Sequence, residues 1–427
     1  MTFPHDYELI QLRSAVTTET VSVDAALLRM LDHPIGFPTI DQAIVPGDRI
    51  AIAMLEGVPE ARQVLEATLA WLAERLASKE VLCTVVLPSK HEWLAESIRL
   101  WLTTHWPNPN RPTRETETGD RDQAGDLSGE GAEEQIGHKV VCHAPDEQDQ
   151  LEYVAASEVA DPIYLQRDLV EADLVLPIYR WFESNDPRGH DPYVVLPGFG
   201  DRITLRNHGK AWLHRFNTRS KPSAERPLRS TSVSGWLIGI QFAIGVVANG
   251  EGQVGFVAAG DPEQVAEACR ISATGTETRT PAQNDRKAIS AGIANQSLEL
   301  VVVNLVSKAN TPTWTDIASA VWSAERWLAP SGRVVVVAQE LEDIPSGIQA
   351  LASDEPDEEI QQMLLDGSLE ESFPAAVLRS IQSRRSIYIQ SKIDPELLES
   401  LGFACISDAA GLNRLIQTSR RVGMLEY

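Results

Sequence analysis

Residues 298–306 read LELVVVNLV, apolar at every position except Glu299 and Asn304. Strict alternation would mark a strand with one wet face. An unbroken apolar run marks a strand covered on both faces, the kind found in a parallel sheet between helices. RIAIAM at 49–54, the run at 81–87 and the run beginning at Leu174 are of the same type. Between the first two, Val64, Leu65, Leu69, Leu72 and Leu76 recur at helical spacing, and a second helical pattern covers 91–102. Strand, helix, strand, helix is the sequence signature of a parallel α/β sheet.

The second half repeats the pattern. Strands are expected at 253–258, 298–306, 333–338 and 386–390, and helices at 262–270, 314–328, 358–365, 374–383 and 395–401. Asp261 and Pro262 have the types suited to a helix cap and first turn. At 427 residues the chain exceeds what one hydrophobic core organises, so two domains are expected, 1–235 and 236–427. Residues 105–137 interrupt the first with a Pro-, Gly- and acid-rich segment that has too few aliphatic side chains to offset its ordering entropy. It is expected to be a flexible acidic insertion in a surface loop. A basic stretch at 202–229 contains Arg202, Arg206, Lys210 and Arg215. It reads either as a solvated loop or as an anion-holding stripe.

The net charge of −24 repels polyanions and argues against nucleic acid or an anionic membrane as partner. The four cysteines, Cys83, Cys142, Cys269 and Cys405, are far apart and read as buried thiols of a reducing compartment. The N-terminal residues lack a signal-peptide pattern, and the apolar run at 236–248 is too short to span a bilayer, so a cytoplasmic protein is expected. GxGxxG after a strand, GxxxxGK[ST], HExxH and GxSxG are all missing.

Three segments carry more. CHAPDEQDQLEYVAAS (142–157), PIYLQRDLVEADLVLPIYRW (162–181) and VVLPGFGDRITLRNHG (194–209) follow one another in order. A histidine after a short strand, EADLV in the middle, then LPG and an Asn-His pair: this order resembles the nickel-pincer-nucleotide-dependent lactate racemase family. The resemblance implies a two-domain α/β architecture with mostly parallel sheets and an inter-domain cleft near His91, His143, Glu183 and His208. It implies that His143 is one proton-transfer base and that His208 ligates nickel, both within the chemistry of a neutral imidazole. For each, a hydrogen-bonded structural histidine is the alternative. By the same resemblance Glu183, or its neighbour Ser184, takes the place of the second base. Pro59 and Tyr193 fall on cofactor-binding positions, and His91, Asp316 and Ser319 on substrate-binding ones.

Several positions depart from the family pattern. The second catalytic histidine is missing from RWFESNDPRG, although His190 nearby offers an imidazole. The lysine that bonds the pincer cofactor is replaced by Tyr193, so any such cofactor is expected to be held without a covalent bond. The arginine that holds the substrate carboxylate is replaced by Glu92, whose charge repels one. Thr315, Asp316 and Ser319 stand where the family has Tyr, Gln and Lys. Two functions remain open on these grounds. One is a non-catalytic relative that binds a ligand, with a small hydroxy acid, or none, as partner. The other is a racemase or epimerase of a 2-hydroxy acid that uses the nickel-pincer nucleotide non-covalently. The three losses together favour the first.

Overall fold

The computed structural model describes residues 8–12, 20–106, 138–156, 161–181, 193, 195–218, 238–249, 251–274, 298–305, 312–325, 327–366 and 369–426. The chain begins with β1 (Glu8–Leu12) and α1 (Val23–Asp32). The alternation read from the sequence follows as β2 (Arg49–Met54), α2 (Ala61–Leu76), β3 (Leu82–Leu87), α3 (Glu92–His105) and β4 (Lys139–Cys142). Next come β5 (Leu151–Ala156), β6 (Pro162–Gln166), β7 (Leu174–Arg180) and α4 (Arg202–Thr218). Then β8 (Ala243–Ala248) and β9 (Val254–Gly260) lead into α5 (Pro262–Thr274). The remainder is β10 (Leu298–Asn304), α6 (Trp314–Glu325), β11 (Leu328–Val337), α7 (Asp357–Leu365) and α8 (Ser372–Gln382). It closes with β12 (Ile387–Gln390), α9 (Pro395–Ser400), β13 (Ala404–Cys405), α10 (Ala409–Gln417) and β14 (Arg421–Glu426).

Two six-stranded sheets organise these elements. The first has the order β4-β3-β2-β7-β8-β9, all neighbours parallel except the β8–β9 pair. Alternation sorts its side chains between two cores. Ile50, Ile52 and Met54 of β2 face one layer with Leu65, Leu69 and Leu72 of α2 and Leu94 and Ile98 of α3. Ala51 and Ala53 face the other, with Val175 and Tyr179 of β7 and Val265 and Cys269 of α5. The small residues of that second face let α5 come close. A Cβ on Gly245 of β8 would stand 2.7 Å from Cys269 Sγ.

The second sheet, β1-β14-β10-β11-β12-β13, is parallel throughout. The run that opened the sequence argument is its β10, flanked by β14 and β11, with Leu300 through Val303 essentially without solvent contact. Val301 and Val303 pack with α6 and α8 on one side. Leu300 and Val302 pack on the other, under Leu412, Leu415 and Ile416 of α10. The parallel α/β fold expected from patterning is therefore the fold observed.

Two expectations are corrected. The sequence of the basic stretch reads as loop or anion stripe, yet 202–218 is one helix. Its apolar stripe is narrow, and charge at neighbouring positions hides it. The remainder of that stretch and the acidic insertion from residue 107 lie outside the described residues. Sheet pairing crosses residue 235. β8 and β9 complete the first sheet, because β8 lies parallel beside β7 with Tyr179 opposite Gly245. β1 in turn joins the second sheet beside β14. Finally, only two of the four cysteines, Cys83 and Cys269, are buried, while Cys142 and Cys405 are half-buried. All four are free thiols, and burial pushes Cys83 up to about 12, which makes it inert as a nucleophile at neutral pH.

α4 ties the two sheets together. At its start, Asp201 N–H donates to Tyr164 O, and Arg202 forms a bidentate ion pair with Asp146 on the loop after β4. One turn on, Asn207 Nδ2 donates to Asp161 Oδ2 at 3.1 Å. Toward the second sheet, Arg206 Nη1 pairs with Asp366 Oδ1 at 3.3 Å, and Leu213 enters the core shared by α6 and α8. A Cβ on Gly209 would lie 3.1 Å from the ring of Phe373 in α8, so glycine there permits the close approach.

Candidate functional site

In an open parallel sheet, ligands bind outside the carboxyl ends of the strands, where the chain reverses its direction of travel across the sheet. From β2 the first sheet grows through β3 to β4; the chain then returns to the other side of β2 as β7 and grows through β8. The reversal lies between β2 and β7. Pro59 lies on the loop after β2, His91 at the turn after β3, and His143 directly after β4. Glu183 follows β7 but, like Ser184 and His190, lies outside the described residues. Candidates chosen from the sequence thus follow successive strands of one sheet, on its carboxyl edge.

The second sheet reverses between β10 and β14. Asp316 and Ser319 sit on the first turns of α6, the helix that follows β10. Of the residues expected to contact substrate, Asp316 and Ser319 therefore follow the second sheet, whereas His91 follows the first, as His143 does.

His143 is 4 % exposed, and both of its ring nitrogens are engaged. Nε2 lies 2.9 Å from Gly200 O and Nδ1 3.1 Å from the side-chain amide of Gln166. Both partners, Gly200 O and Gln166 Oε1, are acceptors, so the single proton of the neutral ring points to one of them and the other nitrogen faces an acceptor too. Burial holds the imidazole below its ordinary pKa, against smaller opposing effects from these two hydrogen bonds and the nearby Asp201 carboxylate. Phe199 closes over the ring edge-on, at 5.7 Å between centroids. The neutral histidine is wedged between the loop after β4, the end of β6 and the approach to α4.

Asp316 has a local role. Its Oδ2 accepts from Thr313 N at 3.0 Å and from Thr313 Oγ1 at 2.8 Å, while its own N–H donates to Thr313 Oγ1 at 3.2 Å. This is a reciprocal capping box that satisfies amides at the start of α6. Ser319, one turn on, is buried on the core face of α6. Pro59 is buried beside Glu60, whose left-handed backbone turns the chain into α2. Tyr193 packs against the core that contains Leu196 and Phe199. His91 meets Trp93 edge-on at 6.3 Å. His208 is half-buried on α4 beside Asn207 and Gly209.

Sequence reasoning missed the partners that fix His143, because Gln166 and Gly200 are 23 and 57 positions away. Among the described residues no three His, Cys, Asp or Glu side chains converge as a metal site, and no helix is long and apolar enough to cross a membrane.

No protein-family model and no curated protein matches this chain. Solved structures do. A lactate racemase apoprotein from Thermoanaerobacterium thermosaccharolyticum aligns with 98% of this chain and 95% of its own, at 12% identity and a TM-score of 0.63. A protein from Thermotoga maritima aligns with 92% of this chain and 93% of its own, at 11% identity and a TM-score of 0.57. The fold is that of lactate racemase. At such identities the likeness establishes the arrangement of the chain and leaves its chemistry to be argued from its own residues.

Tyr193, the residue that the sequence resemblance puts at the cofactor-tethering position, carries a phenol and no amine and is set against an apolar core.

Proposed function

We propose that this chain is a non-catalytic binder of a small carboxylate on a lactate racemase fold, with a 2-hydroxy acid as the ligand class and the carboxyl edge of the first sheet as the site. The observation that carries the non-catalytic reading is His143. A general base needs an accessible lone pair within reach of the proton it removes. Here one ring nitrogen faces Gly200 O, the other faces Gln166 Oε1, and the ring is buried. Freeing it would leave Gly200 O or the Gln166 amide unsatisfied, at about 1–3 kcal/mol for each group, before any chemistry began. Racemisation also asks for a base on each face of the substrate carbon. A carboxylate at 183, with an ordinary pKa of about 4, is a poor proton donor near neutrality.

The second reading is a 2-hydroxy-acid racemase or epimerase that holds a nickel-pincer nucleotide without a covalent bond. It is favoured by the extent of the fold likeness, which runs over nearly the whole of both chains. Isothermal titration calorimetry with L- and D-lactate tests the binding reading. Saturable binding of either enantiomer is expected, and the absence of heat up to tens of millimolar ligand would overturn it.

A further inference from the structure

We infer that the cavity between α10 and the last strands of the second sheet binds a small aliphatic α-amino acid, with its carboxylate on Arg414 and its ammonium on Asp408. The cavity has a volume of about 390 Å³, which lies in the range of small-molecule sites. β13 ends at Cys405, and the chain then turns through Asp408 into α10. These residues therefore lie past the carboxyl end of a parallel strand, where α/β sheets take ligands. Asp408, Gly411, Leu415 and Thr418 line the cavity at three- and four-residue spacing, along one face of α10. The buried Ile406 and the half-buried Tyr388 and Leu415 give it an apolar wall. The site is on a different sheet from the edge proposed above and does not depend on lactate binding.

Opposite charges line this cavity without meeting. Asp408 Oδ1 accepts from Gly411 N–H at 2.7 Å, which caps α10 and fixes the carboxylate. Arg414, exposed on the next turn, makes no ion pair among the described residues. Gly411 lies between them. A Cβ there would stand 3.3 Å from Asp408 Oδ1, 3.5 Å from Ile406 Cγ2 and 4.0 Å from Arg414 Nη2. One point over the glycine is thus in reach of a carboxylate, an aliphatic side chain and a guanidinium. Their complements are an ammonium, an aliphatic group and a carboxylate, the three parts of an aliphatic α-amino acid. Charge-assisted hydrogen bonds can form at both ends, and the guanidinium fork suits a carboxylate. A plain carboxylate fits less well, because Asp408 repels it. The same corner carries more negative charge: burial, and then the Glu399 and Asp394 carboxylates, push the Cys405 thiol above its ordinary pKa.

The test is calorimetric titration of the full chain with L-leucine, with L-leucinamide, which lacks the carboxylate, and with 4-methylpentanoate, which lacks the ammonium. L-leucine is expected to bind saturably and each analogue about 10-fold more weakly or worse. Arg414→Gln and Asp408→Asn, whose side chain still caps α10, are expected to weaken L-leucine binding about 10- to 100-fold. Gly411→Ala places a methyl group where the ligand would sit, yet alanine favours the helix. Its melting temperature is expected to hold or rise while L-leucine binding falls about 10-fold or more. Circular dichroism checks that each variant is folded. Absence of saturable heat with L-leucine up to tens of millimolar would overturn the assignment. So would unchanged affinity in any of the three folded variants, or equal affinity for L-leucine and either analogue.

Discussion

A buried histidine that is neutral in the folded chain links function to acid stability. Burial lowers the pKa of His143, and of His138, whose Nδ1 accepts from Cys83 N–H at 3.1 Å while its ring stacks against Trp106. Both folded values lie below the ordinary value of about 6.5, so just below that pH the unfolded chain binds more protons than the folded one. The stabilising contribution is therefore complete above about pH 6.5 and is lost as pH falls toward the folded values. Urea unfolding should show stability dropping between pH 7 and 5.5. The double variant His138→Asn, His143→Gln keeps acceptor and donor atoms near their places but cannot titrate, and it should flatten that drop. An identical slope in both proteins would show that these histidines are not held neutral. Position alone exposed His143 as a candidate in the sequence. Its occupation by Gln166 and Gly200 was not legible, because hydrogen bonds across 23 and 57 positions are made by the fold and leave no local pattern.

Strands and helices divide by how strongly burial writes on them. β2 and β10 are covered on both faces, so their composition announces them, and their observed limits lie within two residues of those expected. β5 is half-exposed and pairs antiparallel with β6, and that weak signature was not read as a hairpin. β11 starts at Leu328, five positions earlier than expected, because a register shift accommodates Pro330-Ser331-Gly332 before regular pairing resumes at Arg333. α4 is the most consequential miss: its contacts run to both sheets, and each is made by a few spaced residues. Gly209 offers a direct test. Leucine would gain about 1 kcal/mol in helix propensity over glycine. It would also push into Phe373, and overpacking of this kind costs about 1–3 kcal/mol. The clash should win, so Gly209→Leu is expected to lower the melting temperature. A more stable variant would mean that α4 and α8 are less tightly apposed than described.

At the scale of the molecule, the two mostly parallel sheets divide the expected site residues, His91 and His143 following strands of the first and Asp316 and Ser319 following β10 of the second. The sequence pattern revealed two α/β series, but not which strands belong to which sheet. β8 and β9 follow the division point in sequence yet pair into the first sheet, since pairing joins distant segments that share no local signature. The central claim is that this fold holds a small carboxylate without inverting it. The most direct measurement is chiral chromatography of L-lactate and of D-lactate after incubation with the full chain, produced together with the enzymes that make the nickel-pincer nucleotide. No conversion of either enantiomer above a metal-free control is expected. Conversion above that control would contradict the account and establish the chain as a racemase.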